Sequence, residues 1–256
     1  LGIQQGMNST LNSYLEKLAY LLTGNFAKEG AMNIHSGFAS LGGGGGGGPR
    51  GERVTPVTGR RIITGLVPAT AIPDEILTDH PDRFRAMIVE SANPAHSLLD
   101  ALDFLLVIDV ALTETARHAH YVLPAASQFE KWEMTFFNLE FPHNVAHLRA
   151  PVLDPLEGTL PEPEIHRRLV RALGAYTDDD LVPLHAAAAE GRAAFADAFL
   201  TLLGTRPELG GLAALVLYET LGPTLGAGNE AAAAAWGLAQ TCFLANPDSV
   251  RRAGHP

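Results

Sequence analysis

The stretch Phe104-Leu105-Leu106-Val107-Ile108-Asp109 decides the fold. An apolar run without polar alternation suits a strand covered on both faces, as in a parallel sheet. Ala86-Met87-Ile88-Val89-Glu90 is a second run of this kind, and Tyr121-Val122-Leu123 is a third, closed by Pro124. The segments between them, 97–103 and 113–119, are short but compatible with helix. Right-handed β-α-β crossovers follow, and with them a doubly wound arrangement. The link from Ser97 to Phe104 is shorter than a parallel crossover usually needs, which counts against a fully formed helix there.

Upstream, Leu11, Tyr14, Leu15, Leu18 and Leu22 fall on one stripe of an amphipathic helix. Asn8 and Ser9 are placed to cap its start, and Gly24 stands where a left-handed residue would end it. Gly42 to Gly48 is an unbroken glycine run whose backbone entropy forbids a regular element. With Pro49, Pro56, Pro68, Pro73 and Pro81 after it, the stretch reads as an extended surface excursion. Downstream, Pro163 opens a helix along Ile165, Leu169 and Leu173, and Gly174 ends it. Residues 178–245 are rich in Ala and Leu at helical spacing and predict two to four packed helices. The expected divisions are 1–41, a helical segment closing a preceding α/β domain; 42–84, a Gly/Pro-rich loop; 85–175, an α/β nucleotide-binding portion; and 176–256, a helical region.

Composition narrows the function. The formal net charge of −10 argues against binding a phosphate backbone. No window reaches the roughly 18 consecutive apolar residues of a membrane span. Cys242 is the one cysteine, which excludes a disulfide framework and any iron–sulfur cluster held by four thiolates of this chain. The opening Leu1-Gly2-Ile3-Gln4-Gln5 lacks both an initiator Met and a signal-peptide pattern. It reads as a cut inside a strand, and the abrupt far end gives the same expectation of an interior piece.

Two strand ends carry the candidate chemistry. Asn93-Pro94-Ala95-His96-Ser97 follows the first strand, where Asn and Ser can satisfy free N–H groups at a helix start or meet a nucleotide. A plain capped turn explains the same residues. Asp109 ends the second strand, the position at which doubly wound folds hold an acid against a ribose or base edge. Thr113 and Thr115 beyond it can cap the next turn or touch phosphate.

These motifs, taken in order, resemble the dimethyl sulfoxide reductase family of molybdopterin oxidoreductases. The resemblance is carried by Leu21-Leu22-Thr23-Gly24-Asn25, then Asn93-Pro94-x-x-Ser97, then the strand closing on Asp109. Thr113-Glu114-Thr115-Ala116, Tyr121-Val122-Leu123-Pro124-Ala125, Phe129-Glu130-Lys131 and Gly158-Thr159-Leu160-Pro161 continue it. It spans about residues 1–175 and is nearest to formate dehydrogenase-like and assimilatory nitrate reductase-like large subunits. It implies an α/β, Rossmann-like doubly wound sheet, followed here by the helical C-terminal region. It also implies a large subunit that binds molybdopterin guanine dinucleotide, with molybdenum and a 4Fe-4S cluster held elsewhere in the parent protein. Asn93, Ser97, Asp109 and Thr113 would contact the nucleotide part of the cofactor, and Glu114, Thr115 and Glu130 stand behind them. No catalytic residue and no metal ligand is expected in this chain, which by itself would be inactive. Its partners would be the remainder of the large subunit and an electron-transfer subunit or ferredoxin, in the cytoplasm. The family's Cys-rich motif is absent, and His120 stands where the family commonly has Asp.

His143 and His147 would share a helix face as a zinc pair, but Pro142 and its neighbours favour extended chain, and no H-E-x-x-H pattern is present. Asp178-Asp179-Asp180 reads as a helix start set against the helix dipole. Cys242, Phe136 and Phe137 read as core. Trp132 reads as core or as the wall of a channel. The alternative function is a non-catalytic nucleotide-binding or scaffold module that retains the fold.

Overall fold

The computed structural model describes residues 6–26, 28, 53–62, 65–94, 97–138, 145–245 and 247–252. The chain forms two compact units: Leu1–Phe38 with Thr135–His147, and Ala39–Met134 with Leu148–Pro256. No helix among the described residues is long and apolar enough to cross a membrane.

In the first unit, α1 (Ser9–Leu22) follows the apolar stripe and ends at Thr23, with Gly24 at φ +65°. Asn8 makes no side-chain cap hydrogen bond, and α1 buries none of its residues. Leu11, Tyr14, Leu15 and Leu22 stay exposed. The Gly42–Gly48 run lies outside the described residues.

Among its described residues, the 42–84 stretch, read as a Gly/Pro-rich surface loop, is not extended throughout. It contains a 3-10 turn, Ala69–Ala71, leading into the short helix α2 (Ile72–Ile76). Pro73 sits in the first turn, where its missing N–H costs nothing. Glu75 and Ile76 are fully buried. Ile76 joins the sheet core. The Glu75 carboxylate accepts hydrogen bonds from the backbone N–H groups of Val57 (3.0 Å) and Thr58 (2.8 Å) and from the Thr58 hydroxyl (2.6 Å). It thereby anchors the turn bounded by the Val54–Arg61 antiparallel bridge.

Strands β1 (Ala86–Glu90), β2 (Phe104–Asp109) and β3 (Tyr121–Pro124) form a parallel sheet in the order β1-β2-β3. The unbroken apolar run of β2 now has its explanation. Leu105 and Val107 point to one face, against Leu98, Leu99, Ile76 and Ala116. Leu106 and Ile108 point to the other, against Ala125 and Ile165. A strand buried on both faces has no place for polar alternation.

Both crossovers are single 3-10 turns, Ser97–Ala101 and Thr115–His118, as befits links too short for several helical turns. They pack on the same face of the sheet, since Leu98, Leu99 and Ala116 share one cluster. The strands run in sequence order without reversal. The switch in strand order that defines a doubly wound sheet therefore does not occur among the described residues. What the structure shows is a mixed α/β arrangement with a three-stranded parallel sheet and a C-terminal helical region.

Strands β4 (Glu133–Asn138) and β5 (Val145–Arg149) pair in a separate two-stranded sheet. Beyond them, a bridge between Ala125 and Leu160 lays the chain beside the end of β3 and delivers α3 (Glu162–Ala172) to the sheet. Ile165 and Leu169 face the sheet, whereas Val170 faces the helical core. That core belongs to α4 (Asp178–Glu190), α5 (Arg192–Thr205), α6 (Ala213–Thr220) and α7 (Ala233–Ala245). A short α8 (Pro247–Arg252) follows. The region 178–245, read as two to four helices, thus contains four α-helices among the described residues. Asp178-Asp179-Asp180 opens α4, where Thr177 and Asp180 form a capping box.

Candidate functional site

The C-terminal ends of β1 and β2 lie side by side, because the strands are parallel neighbours in register. Just past β1 the backbone turns sharply. Ser91 adopts φ +52°, an uncommon conformation for a residue with a side chain. That turn carries Asn93 toward the segment after β2.

Asn93 is engaged there from both sides of its amide. Its Oδ1 accepts from the Thr115 hydroxyl (2.7 Å) and the Thr115 backbone N–H (3.1 Å). Its Nδ2 donates to Glu114 Oε2 at 2.7 Å. Thr115 is fully buried, whereas Glu114 is exposed. The Asn93 amide and the Glu114 backbone N–H hold the Glu114 carboxyl below the usual carboxylate range. The result is an ionised carboxylate fixed at the carboxyl edge of the sheet.

The other sequence candidates take different places. Thr113 Oγ1 accepts from Ala116 N–H at 3.3 Å and so caps the turn. Asp109, half-buried at the end of β2, accepts from the Val110 N–H at 2.7 Å. The Ser97 backbone starts the first crossover turn, but its side chain lies outside the described residues. Glu130 stands apart from this network. It accepts from the Ser127 N–H at 2.7 Å, and that bond holds its carboxyl below the usual range. It lines a cleft of about 700 Å³ together with Trp132, which is therefore half-buried at a wall and not in the core.

Two pairings, one beside the site and one between the crossover turns, were missed by sequence reasoning. His166 on α3 meets Glu90, the last residue of β1, at 2.7 Å. His118 meets Asp100 at 2.7 Å, tying the two crossover turns together. His120 also has a structural place, its Nδ1 accepting from the Leu105 N–H at 2.9 Å. No group of three His, Cys, Asp or Glu suited to a metal ion occurs among the described residues. His143 lies outside them.

No family model matches the chain. Curated proteins do. The chain is 34% identical over 114 residues to "Probable oxidoreductase YoaE" of Bacillus subtilis, covering 41% of this chain and 16% of that protein. It is 29% identical over 198 residues to "Probable oxidoreductase YjgC" of the same organism, covering 68% of this chain and 20% of that protein. It is 42% identical over 83 residues to "F420-dependent formate dehydrogenase 2 subunit alpha" of Methanococcus maripaludis, covering 32% of this chain and 12% of that protein. Its relatives are oxidoreductases. The chain spans about a fifth or less of the length of these relatives.

Proposed function

We propose that the chain is a portion of the catalytic subunit of a molybdopterin guanine dinucleotide-dependent oxidoreductase of the formate dehydrogenase-like or nitrate reductase-like kind. Its part is to hold the nucleotide end of the cofactor and not the metal. The observation that carries this reading is the Asn93–Glu114–Thr115 network at the carboxyl edge of two adjacent parallel strands, the edge at which open α/β sheets take nucleotides. Relatives named as oxidoreductases and as a formate dehydrogenase subunit support it.

The donor and acceptor chemistry fits the nucleoside part of such a group. Glu114 and Asp109 offer carboxylate oxygens, which only accept hydrogen bonds when ionised. A guanine edge and ribose hydroxyls offer the matching donors. Asn93 commits its acceptor oxygen and one amide N–H within the protein, so its part is to aim Glu114. Thr113 and Thr115 hold the turn that carries Glu114. When bound, the cofactor would supply the molybdenum redox chemistry from groups outside this chain. The remainder of the large subunit and an electron-transfer subunit or ferredoxin are the partners this reading requires.

Saturation-transfer NMR with guanosine diphosphate and adenosine diphosphate tests the site on the chain itself. Guanosine diphosphate is expected to receive saturation and adenosine diphosphate much less, with Glu114→Gln removing the difference. Equal transfer to both nucleotides, or to neither, would overturn the assignment. The scaffold form of the alternative predicts neither, whereas its non-catalytic nucleotide-binding form predicts transfer as well.

A further inference from the structure

The cleft of about 700 Å³ lies between the loops after β3 and β5, the start of α3, and the segment from α6 to α7. Its volume falls in the range of sites that hold a ligand of several groups, well above a single ion. Two aromatic rings, Trp132 and Tyr218, contribute to its walls. The indole is held in place by its N–H, which donates to Asn229 Oδ1 at 3.1 Å. Val152 and Leu153 leave exposed apolar surface along the same cleft.

Its charge is unevenly settled. Lys131 is drawn to Glu162, with Glu133 3.8 Å away. Glu164 is answered by Arg167 at 2.7 Å and Arg168 at 2.8 Å. Glu130, Asp154 and Glu230 also line the cleft, and none of the three forms an ion pair among the described residues. Arg167 beside Glu164 holds that carboxyl at about 2, and Glu130 is likewise held low, so these groups are anions at neutral pH. The carboxylates do not converge as a metal ion requires, since no such cluster occurs among the described residues. They line the cleft together with the two aromatic residues.

That combination selects a flat, delocalised cation. A guanidinium stacks on Trp and Tyr faces and pairs with carboxylates through a fork of N–H donors, and its methylene stem suits the apolar rim. We propose that this cleft binds an extended, arginine-bearing segment of a partner polypeptide. The inference is independent of the nucleotide reading, because it uses different residues and a different ligand.

Calorimetric titration of the chain with acetyl-Gly-Arg-Gly-amide tests it, with the citrulline peptide as the neutral isostere. The arginine peptide is expected to bind saturably, at least about tenfold more tightly than the citrulline peptide, and more weakly as salt is raised. The double variant Asp154→Asn, Glu230→Gln should weaken binding about tenfold at an unchanged melting temperature. Glu157→Gln, a control outside the cleft, should leave binding unchanged. No saturable binding, equal affinity for both peptides, or insensitivity to the double variant would overturn the proposal. Argininamide binding as tightly as the peptide would also overturn it, by reducing the site to one for a small cation.

Discussion

Asn93 shows how much a single amide can determine. An Asn side chain has one acceptor oxygen and one donor nitrogen, and both are used, so only one orientation satisfies Thr115 and Glu114 together. Asn93→Ala removes the acceptor of two hydrogen bonds to a fully buried Thr115. The expected loss is about 1–3 kcal/mol, read by urea denaturation, and unchanged stability would show that the latch is not needed. Asn93→Asp should raise the Glu114 pKa, visible in a carboxyl carbon-13 titration, because a donor is replaced by a like charge. Glu114 is held below its ordinary value in the folded chain. Its contribution is therefore complete above that value and lost as pH falls through the lowered one. Glu75 follows the same sign. Burial alone would raise its pKa, but hydrogen bonds from Thr55, Thr58 and Val57 outweigh that and bring it from 4.5 to about 2. Its hold on the 55–60 turn should persist in full above pH 4.5 and fail as pH drops through about 2. At neutral pH, Glu75→Gln should speed trypsin cleavage after Arg60 and Arg61, exposed residues of that turn. An unaltered cleavage rate would argue that backbone pairing alone holds it.

Among the elements, α3 carries two loads. Its Ile165 side covers β2, while Arg171 near its end reaches Glu219 on α6. Glu219 is nearly buried and is satisfied from two directions: Arg171 Nη2 donates at 2.5 Å and the Tyr176 hydroxyl at 2.6 Å. The Arg171 guanidinium also lies 4.8 Å from the Tyr176 ring centroid. Cutting such a network from the carboxylate side leaves the part-buried Arg171 with only the exposed Asp178, 2.9 Å away, and the Tyr176 hydroxyl without its acceptor. Glu219→Ala should cost about 3 kcal/mol, and Tyr176→Phe about 1 kcal/mol, both from chemical denaturation. If Tyr176→Phe proved the costlier of the two, the ion pair would not be what fastens α6 to α3.

At the scale of the molecule, apolar burial is divided between the two faces of the small sheet and a separate helical core. The helical core rests on aromatic packing, with Phe195 5.9 Å from Phe199 and meeting Trp236 edge-on at 5.5 Å. The second unit is joined across these cores by α3 and by the Trp132–Asn229 hydrogen bond. Metal content is a property of the whole chain as well. With Cys242 as its only cysteine, the chain cannot supply the thiolates of a 4Fe-4S cluster. Elemental analysis of the purified chain should find iron far below one equivalent. Stoichiometric iron would place a cluster here and remove the expectation that it is held elsewhere.

The three strands were legible in the sequence because their signal is local: apolar runs of strand length between turn residues report burial on both faces, wherever the covering residues come from. The helix stop at Gly174 and the α4 start at Asp178 were legible for the same reason, being written within one turn of chain. Strand order was not legible, since nothing in β1, β2 or β3 states which neighbour it takes. Nor was the burial of α2, whose Pro73 reads as loop until Ile76 is seen in the sheet core. At the candidate site, Asn93, Glu114 and Thr115 could be nominated from their positions at strand ends. Their roles could not, because the Asn93 orientation is set by partners more than twenty residues away. The cleft is the extreme case. Trp132 meets Asn229 across 97 residues of chain, and no periodicity or spacing encodes that meeting. Local chemistry determined which segments fold and how. Only tertiary packing decided which side chains were left facing one another.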